Sequence, residues 1–120
     1  MFEEVDESIV RSEVVKVLIE YRALKVQIEN MQERIAAGAI NLYPSVRKVS
    51  PLNEMKVRQM DRALQYSLNE DERLIIEKKY LSGVKVKDIE VYMEIGLAKD
   101  RYYEIKRSAI SLIATALGII

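Results

Sequence analysis

The chain has 120 residues, with 19 Lys plus Arg balanced by 19 Asp plus Glu, no His, no Cys, 4 Gly and 2 Pro. A chain of this length builds one domain with a modest core, and it has too little Gly and Pro for a loop-rich β fold or a disordered linker. Lacking Cys and His, it has no disulfide, no thiolate nucleophile and none of the side chain most used as a general base near neutral pH, so an enzyme is disfavoured and no cofactor or metal is expected.

The start, Met1 to Glu7, is acidic where a signal peptide would be basic and then apolar. The longest uncharged stretch, Ser108 to Ile120, spans 13 residues, against the roughly 20 a membrane helix needs. A soluble, cytoplasmic protein with no membrane partner is expected. Charge is uneven: residues 1–40 hold 8 acids and 5 bases, residues 41–120 hold 14 bases and 11 acids. The change falls at Ala36-Ala37-Gly38-Ala39, and residues 41–51, which contain both prolines, read as a linker. The expected organisation is an N-terminal helix over 1–40 for dimerisation or partner binding, then a helical domain over 52–120.

The N-terminal helix carries Val10, Val14, Val17, Tyr21, Leu24, Ile28, Met31 and Ile35 at alternating spacings of four and three. That is a heptad seam, and in a parallel pair Glu20 would face Lys25 of the other chain. The additional apolar residues Val15, Leu18, Ile19 and Val26 widen the stripe and favour more than one neighbour. Two arrangements are open: pairing with a second copy, giving a homodimer, or packing on the domain that follows.

Four helices follow Pro51. The first runs from Leu52 to about Leu68. The next starts at Asn69, whose side chain can cap free N–H groups while Glu72 completes a capping box. The adjacent Glu70, Asp71 and Glu72 suit the positive end of the helix dipole better than they suit a metal ion. This helix ends at Ser82-Gly83. A short helix over Lys87 to Ile95 is broken by Gly96, and a long one runs from Ala98-Lys99 to Leu117. Helix, Gly-containing turn, longer helix is the layout of a helix-turn-helix.

On the last helix, steps of about 100° per residue put Tyr102, Ile105, Ala109, Leu112, Ile113 and Ala116 on one apolar arc. Lys99, Asp100, Tyr103, Glu104 and Arg107 fall on the opposite side, with Arg101 and Lys106 flanking it. Most charged helix faces are simply solvated. This one, however, occupies the first turns after the helix-turn-helix turn, the part that enters a DNA groove, and it holds the side-chain types that read base edges.

The runs Leu68-Asn-Glu-Asp-Glu-Arg73, Glu77-Lys-Lys-Tyr-Leu81, Asp88-Ile-Glu-Val-Tyr92, Ile95-Gly-Leu-Ala-Lys-Asp-Arg-Tyr-Tyr103 and Ile105-Lys-Arg-Ser-Ala-Ile110 resemble sigma factor region four. The chain is more closely similar to the ArpU-like family of phage transcriptional regulators, in the doubled Tyr, the following Ile-Lys-Arg-Ser-Ala and the terminal Ala116-Leu117-Gly118. The resemblance covers residues 52 to 118. It implies an all-α regulator that binds double-stranded DNA and activates phage late genes in a bacterial host, with RNA polymerase as a further partner and no small-molecule substrate. By position it implies base reading by Lys99, Asp100, Tyr103 and Glu104, and phosphate contacts by Arg101, Lys106 and Arg107. Two departures stand out. Tyr92 sits where helix-turn-helix proteins usually have a small residue, so a wider helix crossing is expected, and Tyr103 and Glu104 replace more basic residues. The alternative is a protein-interaction module that binds polymerase or a sigma factor without gripping DNA.

Overall fold

The computed structural model describes residues 5–39, 42–43 and 50–120, and every regular element among them is helical. Helix α1 is Glu7–Ala37, α2 Leu52–Tyr66, α3 Glu70–Ile76, α4 Asp88–Ile95 and α5 Lys99–Leu117; α3 continues into a π-helical turn, Glu77–Leu81. The linker expected at 41–51 lies for the most part outside the described residues. None of these helices is long and apolar enough to cross a membrane.

Local chemistry sets the helix ends. Asp6 caps α1, its carboxylate accepting from the Ser8 and Ile9 amides, and Gly38 closes the helix in the left-handed conformation at φ 70°, where any Cβ would be strained. At α3 the capping box is complete: Asn69 Oδ1 accepts from the Glu72 amide and Glu72 Oε1 from the Asn69 amide, both at 2.8 Å. The other oxygen of Glu72 accepts from Ser108 Oγ on α5 at 2.6 Å, so this buried carboxylate ties α3 to α5. Arg73 closes α2, its Nε donating to the Leu64 carbonyl and Nη2 to those of Gln65 and Leu68, which satisfies carbonyls a helix end leaves free. Regular α geometry gives way at Glu77, and the π turn carries Tyr80 and Leu81 against the core formed with α1.

Two clusters of apolar side chains result. The larger joins Val14, Leu18 and Tyr21 of α1, Val57, Met60, Ala63 and Leu64 of α2, Ile76, and Ala109, Ile110, Ile113 and Ala114 of α5. The smaller joins Ile75 to Val91 of α4 and Tyr102 and Ile105 of α5. Helix α5 belongs to both.

Of the two arrangements open for the heptad seam, the structure shows packing within the chain. Val14 and Tyr21 are buried, and Val10, Val17, Leu24 and Ile28 lie against the same core. Met31 is half-buried and Ile35 exposed. Leu18, off the seam, is fully buried, because α2 and α5 cover a stripe wider than a two-stranded seam. Burying a side chain of that size contributes about 1.5–3 kcal/mol. The charges follow suit: Glu20 pairs with Lys56 at 3.0 Å and Lys25 with Asp61 at 3.3 Å, both partners on α2, in place of the Glu20–Lys25 contact across two chains. Tyr21 completes this group by donating its hydroxyl to Asp61. Helix α1 is thus part of the domain's core rather than an arm beside it.

Candidate nucleic-acid interface

The segment from α4 to α5 has the helix-turn-helix layout expected. Gly96 ends α4 in the left-handed conformation at φ 75°, the Leu97 amide donates back to the Tyr92 carbonyl at 3.0 Å, and Ala98 turns extended before α5 begins. Ala98 has no side chain to cap α5. The two helices meet through aromatic rings rather than small residues. Tyr92 and Tyr102 are tilted at 5.5 Å between centroids, and Tyr102 meets Tyr103 edge-on at 5.2 Å, the geometries aromatic quadrupoles prefer.

A buried polar group locks α4 to α5. Asp88, the first residue of α4, accepts at Oδ1 from the Tyr102 hydroxyl at 2.7 Å and from Lys106 Nζ at 2.9 Å. Burial pushes the Asp88 carboxyl up, but the hydrogen bonds from Tyr102 and Lys106 outweigh it and hold the group below its ordinary value. Burial and the Asp88 carboxylate push the Tyr102 phenol far above its ordinary value. Lys106 Nζ also lies 5.7 Å from the ring centroids of both Tyr80 and Tyr103. Among the described residues no buried side-chain polar atom lacks a partner, as a stable buried network requires.

With Tyr102 and Ile105 anchored in the core, the opposite face of α5 is fixed in direction. Lys99, Asp100, Arg101, Glu104 and Arg107 are exposed, and Tyr103 is half-buried. Arg101 and Glu104 form an exposed pair at 3.0 Å, of little energetic weight in water. Lys106 is a correction. Expected as a phosphate contact, it is 8% exposed and engaged with Asp88. The physical reason is that α5 is covered on two sides, by α4 near its start and by α1 and α2 further on. For the same reason Ile110 and Ala114 are buried where Leu112 and Ala116, expected in the core, are exposed.

One group went unnoticed in the sequence. Residues 78–87 hold four Lys and no acid, a run that is itself a legible signal. Lys78 pairs with Glu94 at 2.7 Å and Lys79 donates to the Val86 carbonyl at 2.6 Å, which shapes the loop into α4. Lys85 and Lys87 remain exposed on that loop. Among the described residues no group of acidic side chains is arranged to hold a metal ion.

Compared with protein-family models, with curated proteins and with solved structures, the chain finds no match.

Proposed function

We propose that the chain is a sequence-specific DNA-binding transcriptional regulator, an activator of phage late genes acting in the cytoplasm of a bacterial host, as its resemblance implies. The observation that carries this reading is the outward face of α5. Lys99, Asp100, Glu104 and Arg107 open to solvent, with Tyr103 half-buried against the smaller core at their edge, on a helix whose rotation is fixed because Tyr102, Ile105 and Lys106 hold it from behind. Cations on that face suit guanine edges and carboxylates suit the cytosine amino group. Arg101, with Lys85 and Lys87 on the loop entering α4, supplies charge for phosphates, which set register without reading sequence. A chain of zero net charge has weak non-specific attraction for DNA, so occupancy at a promoter relies on a second copy, paired through surfaces other than the seam, or on RNA polymerase.

The test is selection of bound fragments from the source genome, followed by binding of the Lys99→Ala/Arg107→Ala double variant. Loss of each base contact costs about 1–3 kcal/mol. Wild-type affinity in the double variant would remove this face from the interface.

A second reading, a module that binds polymerase or a sigma factor, draws on Ile89 and Met93. They lie one turn apart on α4 and are 53% and 72% exposed, an apolar pair on the outer side of the helix-turn-helix. Salt separates the two readings: a groove binder loses affinity steeply as salt rises, whereas an apolar contact changes little.

A further inference from the structure

Helix α1 holds five acids and five bases between Glu7 and Ala37, unevenly placed. The side that carries Arg11, Val15, Ile19 and Arg22, bordered by Lys16, holds three bases and no acid between residues 8 and 26. The two acids of that stretch, Glu13 and Glu20, stand three residues before and four after Lys16, on its far side from Arg11. Arg22 is occupied, donating to the Tyr80 carbonyl at 3.4 Å. Arg11 and Lys16 are exposed.

This side of α1 adjoins the outward face of α5. Lys99, Tyr103, Arg107, Ile110 and Ala114 follow one another at spacings of four, four, three and four, a single line along the helix. The first three open to solvent or its edge, and the last two are buried against the core that α1 enters. The N-terminal half of α1 therefore rests on the same line of α5, directly beyond Arg107. Arg11 and Arg107 line one cleft together with Val10, Ile110 and Ser111. Arg11 and Lys16 line the next, beside Tyr80 and Lys106. From Lys99 to Arg107 the helix rises about 12 Å, comparable to the width of about 12 Å of a DNA major groove. A groove laid over Lys99–Arg107 ends where α1 begins, and a groove ends in phosphates.

We infer that α1 is a phosphate-contacting wall of the DNA interface, with Arg11 and Lys16 gripping the backbone of the duplex whose bases meet Lys99–Arg107. This rests on the DNA-binding reading above. It gives α1 a function besides its place in the core, and makes Glu7, which lines the same cleft as Arg11 and Arg107, a negative element of the surface.

The experiment measures binding of the full chain to a fluorescently labelled mixed-sequence duplex, at salt from about 50 to 200 mM. For Arg11→Ala/Lys16→Ala the slope of log affinity against log salt should fall in magnitude by about two, since each phosphate contact adds about 0.9, and the loss should be the same for every sequence tried. Arg11→Lys keeps the charge and should keep the slope, and Glu7→Gln should tighten binding. Both bases are exposed, so the variants should melt with the wild type. If the double variant keeps the wild-type slope while Arg107→Ala lowers it, the wall is overturned and the DNA reading stands. If the wild-type chain shows no salt-dependent binding to the duplex or to source-genome fragments, both fall.

Discussion

Lys106 and Asp88 form the one ion pair among the described residues whose side chains are both mostly buried, Nζ to Oδ1 2.9 Å apart with side-chain exposures of 10% and 23%. It joins the first residue of α4 to the second turn of α5, and so holds the helix-turn-helix at a fixed angle. Removing one partner of a fully buried pair costs about 3–5 kcal/mol. Asp88 keeps some water and the Tyr102 hydroxyl, so Lys106→Ala should cost about 2–3 kcal/mol in urea unfolding. Lys106→Met, which keeps the aliphatic stem, should cost less. Neither should alter the salt slope of the proposed DNA binding beyond what lost stability explains, because this lysine is not available to phosphates.

The same pair sets the response to acid. The Asp88 carboxyl is held below its ordinary value, so its contribution to stability is complete above the unfolded value of about 3.9 and is lost as pH falls through the lower folded value. Asp88→Asn should be less stable than wild type at neutral pH, with the difference shrinking steadily below about pH 4. Unfolding midpoints measured in a pH series would show the two curves converging.

At the alkaline end the sign reverses. Burial, and then hydrogen bonding to a carboxylate, raise both Tyr21 and Tyr102 above the ordinary phenol value. A phenol kept neutral in the fold stabilises below its unfolded value of about 10 and stops doing so as pH rises through the folded one. Stability should therefore fall above about pH 10, and the part of the tyrosinate absorbance that Tyr21 and Tyr102 contribute, isolated by difference against the Tyr21→Phe and Tyr102→Phe variants, should appear together with loss of helical circular dichroism. Tyr102→Phe should flatten this alkaline limb while weakening the fold at neutral pH, since Asp88 loses a donor.

Because α1 is core, trimming it has consequences an appended arm would not. Leu18→Ala should cost about 2–5 kcal/mol, whereas Ile35→Ala, at a residue 59% exposed, should be close to neutral. Deleting residues 1–38 uncovers Val57, Met60 and Ile110, and should abolish the cooperative thermal transition instead of releasing a folded helix-turn-helix.

The capping box offers a smaller, local test. Asn69→Ala should cost about 1 kcal/mol. Glu72→Ala should cost more, because Ser108 and the Asn69 amide both lose their acceptor. Double-mutant analysis with Ser108→Ala should return a coupling of about 0.5–3 kcal/mol.

Much of the helical plan could be read from short-range signals. Gly38, Asn69, Gly96 and Gly118 mark helix ends within a residue or two, because capping depends on a few adjacent backbone groups. The seam residues of α1 were equally visible, but their spacing says only that a helix is covered on one side. Whether a second copy or the same chain covers it depends on α2 and α5, which no periodicity in α1 encodes. On α5 a single apolar arc does not register the second covered side, so it omits Ile110 and leaves Lys106 among the surface cations. The π turn left no signal, since Glu77–Leu81 reads as an ordinary continuation of α3. The exposed positions of Lys99, Asp100, Glu104 and Arg107 are legible because the pattern around Tyr102 and Ile105 survives in the first turns, where only α4 and α3 lie behind, whereas Tyr103, expected among them, is half-buried against the smaller core.

That α5 runs through both clusters means that neither can melt while the other persists. A single rod carries Tyr102 and Ile105 at one end and Ile113 and Ala114 at the other, so the chain should open globally rather than piece by piece. Any partner that grips residues 99–107 stabilises the entire rod by mass action, and the clearest sign of its arrival should be slower amide exchange at Ile113, beyond Arg107 at the far end of the rod from Lys99.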